Sequence, residues 1–395
     1  MTQANHQIPV AKPVLDEREV EAVRRVVLSG WVTQGPEVAA FEREFAELVE
    51  APHACAVSNC TTALHLALKV VGVEPGDEVI TVSHSFIATA NAIRYCGALP
   101  VFVDIEPDGY NIDPDLIEAA LTARTKAILC VHQLGMPCDL KRIIEIGKRH
   151  ALPVVEDAAC ATGSEILWNG RWEKIGRPHG DIACFSFHPR KVVTTGDGGM
   201  LTTANTEYDR KFRLWRQHGM DVTDTVRHGS KQVLFETYPE LGYNYRMTDM
   251  QAAVGREQLK RLPEIIARRR QLADMYTKHL QGFMDTPAEP DWAHSNWQSY
   301  CVHPPDGLDQ RATMQALLDR GISTRRGVMN IHLESAYASS DCCRAASRLE
   351  WSCAAQSQAI ILPLFAQMTD AELVAVVEAL RDVAGLAGAR RARAG

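Results

Sequence analysis

Between Ala54 and Thr203 the chain alternates short, almost uninterrupted apolar runs with amphipathic segments, and no other feature limits its fold so strongly. The runs are Ala54–Val57, Glu78–Val82, Leu99–Val103, Ala127–Val131, Pro153–Val155, Ile182–Phe187 and Met200–Thr202. A strand with one solvated face alternates polar and apolar residues, whereas a continuously apolar strand needs cover on both faces. The pattern therefore predicts an α/β fold, a mostly parallel sheet between layers of helices. Ahead of it, Asp16–Ser29 has helical periodicity and stops at Ser29-Gly30. Pro36 opens a second helix whose apolar stripe is Val38, Phe41, Phe45 and Leu48.

Beyond the alternating region, Asp249 to about Leu280 reads as a long helical stretch, interrupted or kinked at Pro263, that joins two domains. Gln298–His303 and Ile360–Pro363 read as strands, and Gln310–Arg320 and Asp370–Leu386 as helices. The expected division is a large domain with an N-terminal arm over residues 1–265 and a smaller C-terminal α+β domain over 266–395. The basic, Ala- and Gly-rich tail 387–395 reads as frayed.

Bulk properties exclude several classes. A net charge of −7 argues against binding nucleic acid as the main activity. Eleven cysteines include no C-x-x-C pair, and several sit in apolar runs (Cys55, Cys130, Cys184), as small buried hydrophobes do. No metal site is expected. Met1–Pro13 lacks the basic and apolar regions of a signal peptide, and no apolar run has the length of a membrane span, so the expected setting is the cytoplasm.

The most informative local stretch runs from Asp181 to Met200: a buried strand, a polar turn displaying Lys191, and the Gly-rich return Gly196-Asp197-Gly198-Gly199. A lysine at a strand end beside Ser186 and His188 is a poor structural choice and a good chemical one. With its amine held near neutrality, it condenses readily with an aldehyde, the bond that pyridoxal phosphate (PLP) enzymes require. Asp157 ends the strand Val154-Val155-Glu156-Asp157, where a carboxylate can pair with a protonated pyridine nitrogen, and Glu156 should point to the opposite side. Read alone, Asp157 could equally cap a turn. Ser58-Asn59-Cys60-Thr61-Thr62 lies between a strand and a helix, where free N–H groups and the Thr61 hydroxyl suit a phosphate, although Ser/Thr before a helix is often only an N-cap.

Ser186-Phe187-His188-Pro189-Arg190-Lys191 with Thr194-Thr195-Gly196-Asp197-Gly198-Gly199-Met200 resembles the lysine motif of the DegT/DnrJ/StrS family of PLP-dependent sugar aminotransferases (perosamine-synthase-like). The similarity runs from Ile8-Pro9 to about Asp382. It implies the type I aspartate aminotransferase fold, pyridoxal 5′-phosphate as cofactor, Lys191 as its covalent anchor and proton shuttle, and Asp157 as the pyridinium partner. It further implies phosphate contacts from Cys60, Thr61 and Ser186, and from Asn244 reaching the neighbouring subunit, so that a homodimer shares its active sites. Phe86 matches the aromatic that stacks on the ring, with a core phenylalanine as the competing reading. Two positions depart from the family: Cys60 replaces a usual glycine, and Cys160 replaces a glutamine that contacts the ring hydroxyl. That last contact is lost, weakened to a thiol interaction or supplied elsewhere.

The resemblance also implies the reaction: an amino group moves from glutamate or glutamine to a nucleotide-linked keto sugar. Trp31, Thr33, His188, Arg325, Arg326, His332 and Tyr337 match regions that face the sugar nucleotide in relatives. Arg325 and Arg326 could bind a diphosphate or be surface charges. Two alternatives stay open, a cyclitol ketone as acceptor and a regulatory protein that binds PLP or a sugar nucleotide without turnover. A nicotinamide enzyme is set aside, because no G-x-G-x-x-G follows the first strand.

Overall fold

The computed structural model describes residues 7–222, 227, 229–305, 307–339 and 341–392. The first residues of the N-terminal stretch and the last three of the basic tail, both characterised above, lie outside them. The central sheet has eight strands in the order β1 (His53–Val57), β9 (Gly199–Thr203), β8 (Ile182–Ser186), β5 (Val154–Asp157), β4 (Thr125–Val131), β2 (Glu78–Val82), β3 (Leu99–Val103) and β13 (Arg344–Ala345). Only β9 runs against the others, pairing antiparallel with β1 and β8. Two further sheets have three strands each: β10 (Ala293–His294) with the hairpin β6 (Glu165–Trp168) and β7 (Arg171–Lys174), and β11 (Tyr300–Val302) with β14 (Ile360–Leu362) and β12 (Arg325–Arg326).

The apolar strands are covered on both sides, as their composition requires. Ile80, Val82, Ile128 and Cys130 belong to a core formed with the helices Pro36–Val49 and Leu140–Arg149. Their neighbours Val79, Ala127 and Leu129 face the other way, into a core formed with the helices Cys60–Val70, Ala88–Tyr95 and Thr206–Trp215. Phe41 and Phe45 pack on Phe187 and Phe185 with ring centroids 5.2 and 4.9 Å apart, all four fully buried, each burial stabilising by about 1.5–3 kcal/mol.

A third core gathers Leu272, Tyr276, Leu280, Tyr300, Leu317, Ile360 and Leu380 around the small β11–β14–β12 sheet. Ile8 joins it from the chain start, pairing with Ile322. The helix Asp249–Leu280 spans 32 residues and runs through Pro263, so of the interruption or kink expected there the interruption is ruled out. Packing overrides the missing N–H. Near the proline, buried Gln258 and Arg261 bond Glu19 at 2.9 and 2.7 Å and tie the helix to Glu17–Ser29. The last helix, Asp370–Ala392, also passes the frayed boundary expected at residue 387.

Parallel strands deliver their carboxyl ends to one edge of the sheet, where α/β folds place their ligand sites. Here that edge collects Ser58 after β1, Ser83–Phe86 after β2, His132 after β4, Asp157 at the end of β5 and Ser186 at the end of β8. Gly199, at the start of the antiparallel β9, sits between Val57 and Ser186. A Cβ there would lie 2.5 Å from the Asn59 carbonyl carbon, so only glycine lets β9 press against the turn after β1. Among the described residues no helix is long and apolar enough to cross a membrane.

Candidate active site

Lys191 is carried by a turn built from its own neighbours. The Ser186 hydroxyl accepts the His188 N–H (3.4 Å), the His188 ring Nδ1 accepts the Arg190 N–H (3.2 Å), and the Lys191 N–H donates to the His188 carbonyl (2.8 Å). His188 thus shapes the lysine turn. The Lys191 Nζ reaches inward and donates to the Cys160 sulfur at 3.0 Å. Burial lowers the pKa of the amine, but the Cys160 sulfur, the Asp157 carboxylate and Cys60 outweigh it, and the net shift is upward. The near-neutral amine expected from Ser186 and His188 is corrected: groups from other strand ends set its field.

Asp157 is buried, 5% exposed, where β5 meets the edge. Its Oδ2 accepts the Thr89 hydroxyl at 2.8 Å and its Oδ1 the Ala159 N–H at 3.2 Å. Burial raises its pKa, opposed by the Thr89 and Ala159 hydrogen bonds and by Lys191. Glu156 points the other way, to the His132 ring at 2.9 Å. A carboxylate has about four acceptor sites, so Asp157 keeps lone pairs for another donor.

The turn after β1 is an N-terminal cap. The Asn59 side chain accepts the Thr62 N–H at 3.0 Å and the Asn59 carbonyl the Ala63 N–H at 3.2 Å, leaving the N–H groups of Cys60 and Thr61 at the mouth of the helix. The Cys60 thiol points to the Cys184 carbonyl (3.7 Å), and burial pushes its pKa well up. Phe86 is 62% exposed, three residues before the Thr89 that holds Asp157. An amine, a buried carboxylate with free lone pairs, an open aromatic face and a helix amino terminus at one sheet edge form a donor set that fits pyridoxal 5′-phosphate. Among the described residues no group of His, Cys, Asp and Glu could hold a metal ion.

The remaining sequence candidates are dispersed. Asn244 is exposed, its backbone bridged to Gln217, and the next residue's carbonyl accepts the Ser58 N–H at 2.8 Å. His332 lies at the edge, its Nδ1 2.6 Å from the Ser83 hydroxyl. Tyr337 is packed away from it, buried with Ala90, Phe102 and Leu349, its hydroxyl bonded to Asn91 at 2.7 Å. Arg325 and Arg326 form β12 and are both exposed, Arg326 facing Glu334 at 3.4 Å. Trp31 donates its ring N–H to the Gln34 carbonyl (3.2 Å), and the Thr33 carbonyl accepts the Asp249 N–H (3.0 Å), both at the head of the long helix.

Three edge residues escaped the sequence reading. Thr89 could have been found, since it follows Phe86 at one helical turn. Asn296 bonds the Cys160 carbonyl at 2.8 Å and Gln298 the Arg190 carbonyl at 2.6 Å, and nothing local announces either contact.

Residues 13–381 match the DegT/DnrJ/EryC1/StrS aminotransferase family. The chain is 37% identical over 391 residues to the spore coat polysaccharide biosynthesis protein SpsC of Bacillus subtilis (strain 168), covering 96% of this chain and 97% of that one. Among solved structures it is similar to the Streptococcus pneumoniae protein Spr1654 in its PLP form (28% identity, TM-score 0.88, 97% of this chain and 100% of that one), also solved in a PMP form. It is similar as well to Helicobacter pylori PseC, an aminotransferase involved in the biosynthesis of pseudoaminic acid (26% identity, TM-score 0.87, 95% and 99%).

Proposed function

Because the chain belongs to the DegT/DnrJ/EryC1/StrS aminotransferase family and is a PLP-dependent transaminase, we propose that it aminates a nucleotide-linked keto sugar, with glutamate or glutamine as donor, in deoxyaminosugar biosynthesis. The observation that carries the site assignment is the Lys191 Nζ–Cys160 contact of 3.0 Å at the same sheet edge as buried Asp157. The sugar rests on SpsC and PseC, whose names tie them to polysaccharide and pseudoaminic acid biosynthesis.

When bound, pyridoxal phosphate supplies the aldehyde that carries the amino group and a ring that takes up electrons. In this reading the Lys191 Nζ would hold the cofactor through its aldehyde and, when free, would serve as base and acid beside the substrate. Asp157 keeps a proton on the pyridine nitrogen, Phe86 covers one ring face, and the N–H groups of Cys60 and Thr61 with Ser186 hold the phosphate. Cys160, beside the amine, is the candidate for a weakened thiol contact to the ring hydroxyl. Asn244 completes the phosphate site of a partner subunit in a homodimer. His332, Arg325, Arg326, Trp31 and Thr33 are the candidates for the sugar nucleotide, while His188 and Tyr337 act through the lysine turn and through packing. A division near residue 265, inside the long helix, and a cytoplasmic setting belong to the same proposal.

The test loads the enzyme with amino groups from glutamate, then adds nucleotide-linked 3-keto and 4-keto sugars and a cyclitol ketone, following cofactor absorbance. Return of the lysine-bound spectrum with a nucleotide sugar is the expected result. Return with the cyclitol alone would move the acceptor to the other class. Lys191→Ala should give no return with any acceptor.

A further inference from the structure

The turn Ser85-Phe86-Ile87-Ala88-Thr89 does more than present an aromatic ring. The Thr89 hydroxyl donates to Asp157 Oδ2 at 2.8 Å, and the Ser85 hydroxyl lies 2.7 Å from the Thr89 oxygen. Ser85, Thr89 and Asp157 are 2, 0 and 5% exposed, so the chain of three is sealed from water. A hydroxyl has one proton, and Thr89's goes to the carboxylate. Ser85 must therefore be the donor to Thr89, and the chain is polarised from Ser85 through Thr89 to Asp157.

In the opposite polarity, with a neutral Asp157 donating to Thr89 and Thr89 to Ser85, the Ser85 proton turns away from both partners inside a buried site. The pair of hydroxyls thus favours the carboxylate against the burial that favours the acid. The other ionisable groups facing Asp157 are Lys191, His132, Cys60 and Cys184, each from a different approach. Thr89 alone among side chains bonds its carboxylate directly among the described residues.

We propose that Thr89, with Ser85 behind it, is a positioning residue that keeps Asp157 aimed and ionised toward the pyridine nitrogen of the cofactor. The proposal rests on the assignment of Asp157 made above. One proton is shared between Asp157 and that nitrogen. A less favoured carboxylate would draw it from the nitrogen to the Asp157 carboxylate, with none taken up from or lost to solvent. The ring then becomes a weaker sink for electrons.

The experiment reconstitutes the full-length enzyme with 15N-labelled pyridoxal phosphate and records the pyridine 15N shift, alongside donor half-reaction kinetics and thermal unfolding. Thr89→Val, which keeps the shape and removes the hydroxyl, should move the shift toward unprotonated pyridine and slow the half-reaction roughly tenfold at saturating donor, with the donor KM kept. Thr89→Ser should restore both. Ser85→Ala should displace the shift in the same direction by less, and it carries the test if Thr89→Val fails to fold. A wild-type shift in Thr89→Val, or in Ser85→Ala if it stands alone, overturns the proposal. Asp157→Asn separates the two levels. If it leaves the shift unchanged, Asp157 is not the pyridine partner and the site assignment falls with the proposal. If Asp157→Asn moves the shift and the hydroxyl variants do not, the proposal falls alone.

Discussion

Cys160 holds Lys191 at 3.0 Å, and the contact has a chemical cost for capture of the cofactor. Burial alone would lower the amine's pKa, while the sulfur and Asp157 stabilise the ammonium and raise it. An ammonium is no nucleophile. Cys160→Ala removes the largest of the raising influences, so the pH midpoint for covalent capture of pyridoxal phosphate by the apo-protein should fall, read by stopped-flow absorbance. A midpoint that stays put or rises would show that the sulfur does not govern the amine. At this scale Asp157 and Lys191 were legible because one closes an apolar strand and the other sits in the polar turn after one, patterns that lie within a few adjacent residues. The field around Lys191 was not. Cys160 lies 31 positions away, and Gln298, which fixes the neighbouring carbonyl, 108 away from its partner.

Between elements, the helix Pro36–Val49 is fixed to the sheet by a buried ion cluster. Glu42 bonds Arg216 and, at 2.7 Å, Arg213, and accepts the Ala56 N–H at 2.9 Å, while the two arginines reach the Ala56 and Ala54 carbonyls of β1. Burial raises the Glu42 pKa, but both arginines outweigh it and the net direction is down. Glu42→Gln leaves buried Arg216 without its carboxylate, while half-buried Arg213 keeps Asp209 at 2.8 Å, and should destabilise by about 3–5 kcal/mol in denaturant titration. Because the folded pKa is depressed, the stabilisation is complete above the ordinary glutamate range and is lost as pH falls through the folded value. Wild-type stability should therefore fall more steeply in acid than that of Glu42→Gln, and parallel acid profiles would refute the assignment. Elements with a continuous apolar pattern were legible nearly to the residue, as at Glu78–Val82 and Leu99–Val103. The β6–β7 hairpin was missed although Asn169-Gly170, at φ 49° and 82°, is a recognisable tight-turn pair. β13 carries no such signal: two residues are held beside β3 by Arg344, which bonds Glu78 and the Ala120 carbonyl, both at 3.0 Å.

For the whole molecule, the shared site of the proposed homodimer predicts complementation. Lys191→Ala and Asn244→Ala proteins should each be impaired. Mixed and reassembled, they should recover activity, because one of the two sites in a mixed dimer receives both native side chains. No recovery on mixing would place Asn244 outside the partner's site. The long helix bears on a different property. Over about 48 Å it lends Leu262 and Ile265 to the sheet core and Leu272, Tyr276 and Leu280 to the core of the small β11–β14–β12 sheet. Each core uses this one rod as a wall, so neither can melt without stripping the other. Among the described residues, a nick in that rod would therefore remove a wall from both cores at once.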